Sequence, residues 1–443
     1  MKRYERYKDS GIEWIGEIPE HWELKKFNQI SYMKGRIGWQ GLKQSEFTTN
    51  INEPFLITGM NFKDGKICWD EVYHISEERY NQAPEIQLKN NDVLITKDGT
   101  IGKLLYVENI PFPHKSSLNS HLLVLRPFNE SYDSKYLYYQ LQSYLFKNHI
   151  ELTKTGTTFF GITQESVGQY KMLLPIINEQ TAIANYLDRK AAEIDDLITQ
   201  KEELLKLYEE EKTAIINKAV TKGINPDVKV KDSGIDWLGE IPEHWDVKKV
   251  KYVGKSIIGI IYSPSEIVTD PKQGILVLRA SNIQEGKLSL LDNVYVNKEI
   301  EEELKTKVGD ILICSRSGSA TLIGKNILIN ERSTGNTFGA FMTIFRTKLF
   351  PFVYYYFNSQ VFKGQTGLFQ TVTINQLTIN VLNNFIIAIP PPEEQTAIVN
   401  HIEKETTRIN TKIEKTKKLI ELLKEYRTAL ISEVVTGKIK VTE

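Results

Sequence analysis

Two short blocks in this 443-residue sequence combine cations, hydroxyls and glycines at a spacing suited to gripping phosphate. Lys97-Asp98-Gly99-Thr100-Ile101-Gly102-Lys103 follows a β-like run, Asp92 to Thr96, and Arg316, Ser317, Gly318, Ser319 and Lys325 follow a second, Asp310 to Ile313. Glycines let backbone amides approach a phosphate oxygen closely, and Lys, Arg, Ser and Thr add further donors. Lys97, Gly99, Thr100 and Lys103 in the first block, and Arg316, Ser317, Gly318, Ser319 and Lys325 in the second, are the candidate contacts. Were the phosphates those of a nucleic acid, reading its base edges would need side-chain donors and acceptors, for which Lys34, Arg36, Trp39 and Gln40, or Tyr262, Ser263 and Arg279, are eligible. The plain alternative is a solvated β-turn for the blocks and a surface or core role for the others.

Catalytic readings fare worse. His21 and His244 have no nucleophile or partner carboxylate placed by a recognised motif, and a small aromatic and proline cap around Trp14, Pro19 and Trp22, or Trp237, Pro242 and Trp245, accounts for them better. Gly102-Lys103 and Gly324-Lys325 lack the upstream glycine of a Walker A motif. No (N/D)PP(Y/F/W) tetrapeptide is present, since Pro390-Pro391-Pro392 follows Ile389, and no glycine-rich cofactor loop precedes a helix in Rossmann fashion. Pro226-Asp227 with Asp246-Val247-Lys248 imitates a metal-nuclease signature, but the other copy has Glu23-Leu24-Lys25 with no Pro-Asp ahead of it.

The length calls for two or three folding units, and 41% hydrophobic with 25% charged residues is the balance of a globular chain. Cys68 and Cys314 lie far apart and outside any metal-ligand cluster, so neither a disulfide framework nor a zinc site is expected. With no apolar run near the ~18 residues needed to span a bilayer, a cytoplasmic protein with no membrane partner is expected. The formal net charge of zero hides an uneven distribution. Residues 24–176 hold 17 Lys and Arg against 15 Asp and Glu, and residues 247–390 hold 16 against 10. Residues 1–23 (4 against 6) and 223–246 (2 against 6) are acidic, so local basic faces coexist with a balanced total.

The elements that must position these residues occur twice. Residues 8–26, KDSGIEWIGEIPEHWELKK, return at 231–249 as KDSGIDWLGEIPEHWDVKK, identical at 15 of 19 positions. Asn61-Phe62-Lys63-Asp64-Gly65-Lys66-Ile67 is echoed by Asn282-Ile283-Gln284-Glu285-Gly286-Lys287-Leu288, the Asp92 block by the Asp310 block, and Glu179-Gln180-Thr181-Ala182-Ile183 by Glu394-Gln395-Thr396-Ala397-Ile398. The copies share a frame and differ inside it.

After each EQTAI pentapeptide runs a heptad pattern. Leu187, Ile194, Tyr208 and Ile215 take one seam position and Ala191, Ile198, Leu205 and Ala219 the other, with Lys201 and Lys212 as interruptions. The second stretch repeats this with Ile402, Ile409, Leu423 and Leu430 against Thr406, Ile413, Ile420 and Val434, interrupted by Thr416 and Arg427. Starting at Asn178 and Pro392 and stopping at Gly223 and Gly437, each helix runs roughly 60–65 Å at 1.5 Å per residue. Between them, β-like runs at Asp92–Thr96, Leu104–Val107, Leu122–Leu125, Ile275–Leu278, Asp310–Ile313 and Phe341–Phe345 alternate with turn residues. The aromatic runs Tyr136–Phe146 and Phe352–Phe362 read as buried helices, and Met172–Pro175 and Ile387–Pro390 as closing strands. The expected fold is mixed α/β: residues 1–176 a first globular domain, 177–223 a long helix, 224–390 a second domain and 391–443 a second long helix with a tail. If the helices pair as an antiparallel coiled coil, the internal repeat acquires a pseudo-two-fold axis like that of duplex DNA, and two unlike heads can read an asymmetric target in two parts.

The doubled DSGI(E/D)W(I/L)GEIPEHW segment, the (D/N)(V/I)L(I)…(K/R)xG…GK block and the closing P…EQTAI before a long helix resemble the specificity (S) subunit of type I restriction-modification enzymes, over nearly the whole chain. The resemblance implies two target-recognition domains that each bind half of a bipartite double-stranded DNA sequence. It implies helices that space them and dock two methyltransferase (M) subunits, with motor-nuclease (R) subunits added. It further implies a non-catalytic chain that binds no cofactor itself, with S-adenosylmethionine, ATP and Mg on the partners. The rival from another class is a coiled-coil scaffold whose paired domains bind proteins.

Overall fold

The computed structural model describes residues 2–441 apart from 14, 38–40, 64, 112, 155–160, 285 and 369–375. It divides into two compact units, Met1–Glu202 with Lys418–Glu443, and Glu203–Lys417.

The first unit is built on an antiparallel sheet of β1 (Ser31–Gly35), β2 (Val93–Thr96), β3 (Leu104–Tyr106) and β4 (Leu122–Pro127), in the order β3-β2-β4-β1. Val93 to Ile95 and Leu122 to Leu125 are buried along their whole length, which is why these strands read as unbroken apolar runs without alternation. A smaller sheet sets Phe55–Ile57 parallel to Ser116–Leu118. Ile57, Leu94, Leu118 and Val124 join in one apolar cluster that ties the two sheets together.

The second unit repeats the four-stranded sheet strand for strand, with β5 (Lys255–Ile258), β6 (Ile311–Cys314), β7 (Asn326–Leu328) and β8 (Met342–Arg346) in the order β7-β6-β8-β5, again antiparallel. The aspartate that opens the repeated block has the same task in each unit. Asp92 takes Arg126 Nε and Nη2 at 2.6 and 2.7 Å, and Asp310 takes Arg346 Nε and Nη2 at 2.7 and 2.7 Å. Each bidentate pair fastens the start of one central strand to the end of its neighbour.

The closing strands form as expected: Lys171–Leu174 pairs with Glu23–Lys26, and Ile386–Ile389 with Asp246–Lys249. The aromatic runs differ from expectation, because each is two helices rather than one. Ser134–Gln142 and Tyr144–Thr153 flank Ser143, and Phe350–Phe357 and Gln360–Leu368 follow on either side of Asn358 and Ser359. Ser143 Oγ donates to Gln140 O and Ser359 Oγ to Tyr356 O, each at 2.6 Å, a local bond that competes with continuation of the helix. The aromatics hold the closing strands, with Tyr136 Oη donating to Leu173 O at 3.0 Å and Tyr356 Oη to Ile386 O.

The two long helices are α1 (Ile177–Lys222, 46 residues) and α2 (Pro392–Val435, 44 residues). Each contributes one part to each unit. In the first unit Asp195 pairs with Arg427 at 2.9 Å and Glu202 with Lys424 at 3.5 Å, so the segments run antiparallel. In the second, Glu211 pairs with Arg408 at 2.9 Å while Ile216, Ala219 and Val220 share a core with Ile398 and Ile402, again antiparallel. Of the seam, Leu187, Ile194, Ile198, Ile402, Ile409, Ile413, Ile420 and Leu430 are buried, and Leu205, Ile215 and Leu423 are half-buried. Around Ile215 the buried position moves on to Ile216, because there the helix meets Leu238, Ile241 and Trp245 as well as its partner helix, and the apolar face broadens from a narrow seam to a core stripe.

Candidate nucleic-acid interface

The repeated entry segment and the EQTAI pentapeptide meet in space. Glu179, near the start of α1, accepts from Tyr4 Oη at 2.5 Å and Trp22 Nε1 at 3.3 Å and pairs with His21 Nε2 at 2.8 Å. Glu394, near the start of α2, takes Trp245 Nε1 at 3.1 Å and His244 Nε2 at 2.7 Å. Both histidines therefore serve a structural cap. The adjacent glutamine completes it, as Gln180 Nε2 donates to Pro175 O and Gln395 Nε2 to Pro390 O, each at 2.8 Å. The far end of the other helix closes the same cap. Gly437, with φ of 73°, has Pro19 so close that a Cβ would lie 2.4 Å from its ring, and Gly223, with φ of 71°, sits in the same way beside Glu394 and Trp245. A side chain would strain the backbone at either position, and at Gly437 it would also collide with the proline ring.

Each unit also holds one of the two glycine blocks. After β2 the chain turns back on Thr96, which takes Lys103 N on its hydroxyl at 2.9 Å, and Gly102 N donates to Thr96 O at 2.9 Å. Gly99 and Gly102 adopt φ of 72° and 76°. Gly99, Thr100 and Lys103 are exposed and Lys97 half-buried, so the loop offers amide, hydroxyl and ammonium together. After β6, Gly324 at φ of 82° donates to Cys314 O at 2.9 Å; Arg316, Gly318 and Ser319 are exposed, while Ser317 and Lys325 are half-buried.

The base-reading candidates divide. In the second unit Tyr262, Arg279, Arg316, Ser317 and Gly318 line one open groove of ≈ 1080 Å³. Arg279 there is tied by Nη2 to Asp292 Oδ2 at 2.8 Å, and the exposed Ser263 closes a turn, its N–H donating to Glu266 at 2.7 Å. In the first unit Lys34 lies half-buried on β1. Arg36 needs correcting. It is 4% exposed and gives Nε to Leu118 O at 3.0 Å and Nη2 to Ser117 Oγ at 3.1 Å, and burial pushes its guanidinium down to about 10. It ties the two sheets of the first unit together and is not presented for base contact. Trp39 and Gln40 lie outside the described residues.

Two pairs beside the blocks were missed from sequence. Asp98 meets His121 Nδ1, and Arg316 lies over the Phe341 ring, 5.1 Å from its centroid. The usable signal was the ungapped alignment of the two blocks, which sets Asp98 opposite Arg316. Among the described residues no group of three His, Cys, Asp or Glu could hold a metal, and no helix is long and apolar enough to cross a membrane.

A family model for the type I restriction modification DNA specificity domain matches residues 19–207 and 242–424, once in each repeat. The chain belongs to that family. It is the non-catalytic component of a type I system, in which partner subunits carry out catalysis. The type I restriction enzyme MjaVIII specificity subunit of Methanocaldococcus jannaschii is 26% identical over 439 residues, covering 96% of this chain and 94% of that one. The EcoKI specificity subunit of Escherichia coli K12 is 28% identical over 207 residues, 45% of this chain and 44% of its own. A chain in a structure of a type I R-M system described for complex assembly and conformational transition superposes with a TM-score of 0.68 at 16% identity, over 95% and 99% of the two chains. The HsdS subunit from Thermoanaerobacter tengcongensis does so at 0.55 and 15%, over 95% and 98%. At such identities these structures speak for the fold.

Proposed function

We propose that this type I specificity chain binds a bipartite, asymmetric duplex DNA target. Each globular unit takes one half-site, and the paired helices hold the half-sites at a set gap and dock two methyltransferase subunits, to which motor-nuclease subunits add. S-adenosylmethionine, ATP and Mg then belong to those partners, and this chain supplies position and sequence choice. The observation that carries the reading is one four-stranded scaffold built twice, with the same support and glycine-bearing loop but different exposed side chains around it. A shared frame suits phosphate contacts that any sequence offers, and divergent neighbours suit two different base readings.

The test is to exchange residues 24–176 for those of a related specificity chain, assemble the complex, and map methylated bases in host DNA. One half-site should change while the other half-site and the gap persist. A change in both halves or in neither would remove independent reading by each unit. Duplex binding that ignores salt would instead favour a protein-binding scaffold, because phosphate contacts release counterions.

A further inference from the structure

Beside each glycine block the two units carry opposite hydrogen-bonding chemistry on one backbone frame. Asp98 bridges to Gly161 and Arg316 to Gln376, at the same point after equivalent strands. Lys97 N donates to His121 O at 2.9 Å, while Ser315 N and Arg316 N donate to Phe341 O at 3.0 and 3.1 Å. Asp98 is thereby equivalent to Arg316, and His121 to Phe341.

The chemistry at that frame is inverted. An ionised carboxylate only accepts, so in the Asp98–His121 pair the imidazole Nδ1 must carry the proton. The remaining lone pairs of Asp98 are then the acceptors that the pair presents. Both side chains reach water, at 41% for Asp98 and 62% for His121. In the second unit a guanidinium that only donates rests on the Phe341 ring, which is itself 57% exposed, and both line the groove with Gln376. The guanidinium is itself a planar fork, which matches two acceptors side by side, and the ring face attracts its charge.

We infer that these equivalent positions read bases of opposite character: Asp98 with His121 takes a base through its exocyclic amine, adenine or cytosine, and Arg316 on Phe341 takes guanine through O6 and N7. In the major groove guanine shows only acceptors, which the first pair repels and the second receives, whereas adenine N6 and cytosine N4 donate. Discrimination of roughly 10- to 100-fold at each position is expected from a well-made pair of this kind. This rests on the DNA-reading function proposed above.

The test maps methylated motifs in cells carrying the chain with its partner subunits, comparing wild type, Asp98→Ala, Arg316→Ala and Arg316→Lys. Arg316→Ala should relax one guanine in one half-site to any base. Asp98→Ala should relax one adenine or cytosine in the other half-site, with the gap unchanged. Arg316→Lys, which keeps charge but loses the fork, should keep methylation and partly lose that guanine preference. Should Arg316→Ala not fold, Phe341→Leu removes the ring without touching charge and must blur the same guanine. Unchanged motifs in these variants, or relaxation at a position of the other chemical class, overturn the inference alone. A wild-type complex with no two-part motif would instead remove the underlying function.

Discussion

Glu179 and Trp22 stand 157 residues apart in sequence and 3.3 Å apart in space, carboxylate to indole N–H. Trp22 is fully buried and the Glu179 side chain is 7% exposed, while in the second copy Glu394 is 24% exposed. Truncating Glu179 leaves a buried indole donor without its acceptor, a loss of about 1–3 kcal/mol. Glu179→Ala should therefore lower the denaturation midpoint of the assembled complex, and Glu394→Ala should lower it less, because water can reach that site. Equal effects would mean that burial of the carboxylate is not what matters.

The Asp310–Arg346 pair makes a second prediction. Asp310 is almost fully buried, with a side chain 1% exposed, and Arg346 keeps 25%. Removing the carboxylate strands a partly buried cation, and about 2–3 kcal/mol is expected after allowing for the water that still reaches the guanidinium. Asp310→Ala should be rescued in part by Arg346→Met, which removes the stranded charge. Denaturant titration of the single and double variants checks this, and additive losses would show that the two side chains do not act as a pair.

Lys103 and Lys325 occupy matching places at the ends of their loops, one exposed and one half-buried. If both meet phosphate, Lys103→Ala and Lys325→Ala should weaken binding to all duplexes alike and each reduce the slope of log K against log salt by about 1. A fluorescence titration at four or five salt concentrations measures both quantities. A loss confined to one sequence would place the lysine at a base.

The gap is expected to follow helix length. Four residues inserted after Lys201, matched by four after Thr416, add about 6 Å, or roughly two base pairs. The methylated motif should keep both half-sites and lengthen its unread centre. An unchanged centre would mean that another part of the assembly sets it.

Much of this molecule was readable as written because its signals are periodic or duplicated. The seam from Leu187 to Ile198 and its counterpart from Ile402 to Ile413 needed only a heptad count, and the entry segments identified themselves by recurring. What escaped lacks a period. The helix breaks at Ser143 and Ser359 depend on one hydroxyl turning back to a carbonyl three residues earlier. Arg36 looked like a surface cation until the small sheet closed over it. Asp98 and His121 are 23 residues apart, one just after β2 and the other just before β4, and only the register of β2 against β4 brings them together. The partnership of the EHW and EQ motifs was equally hidden, although both were conspicuous as repeats.

The last helical turns of the chain, where Leu430, Ile431 and Val434 are buried and Gly437 packs on Pro19 and Trp22, belong to the architecture of the opening segment. Loss of residues 418–443 would thus spare every residue of one unit and strip the other of packing that its remaining residues, 1–202, cannot replace.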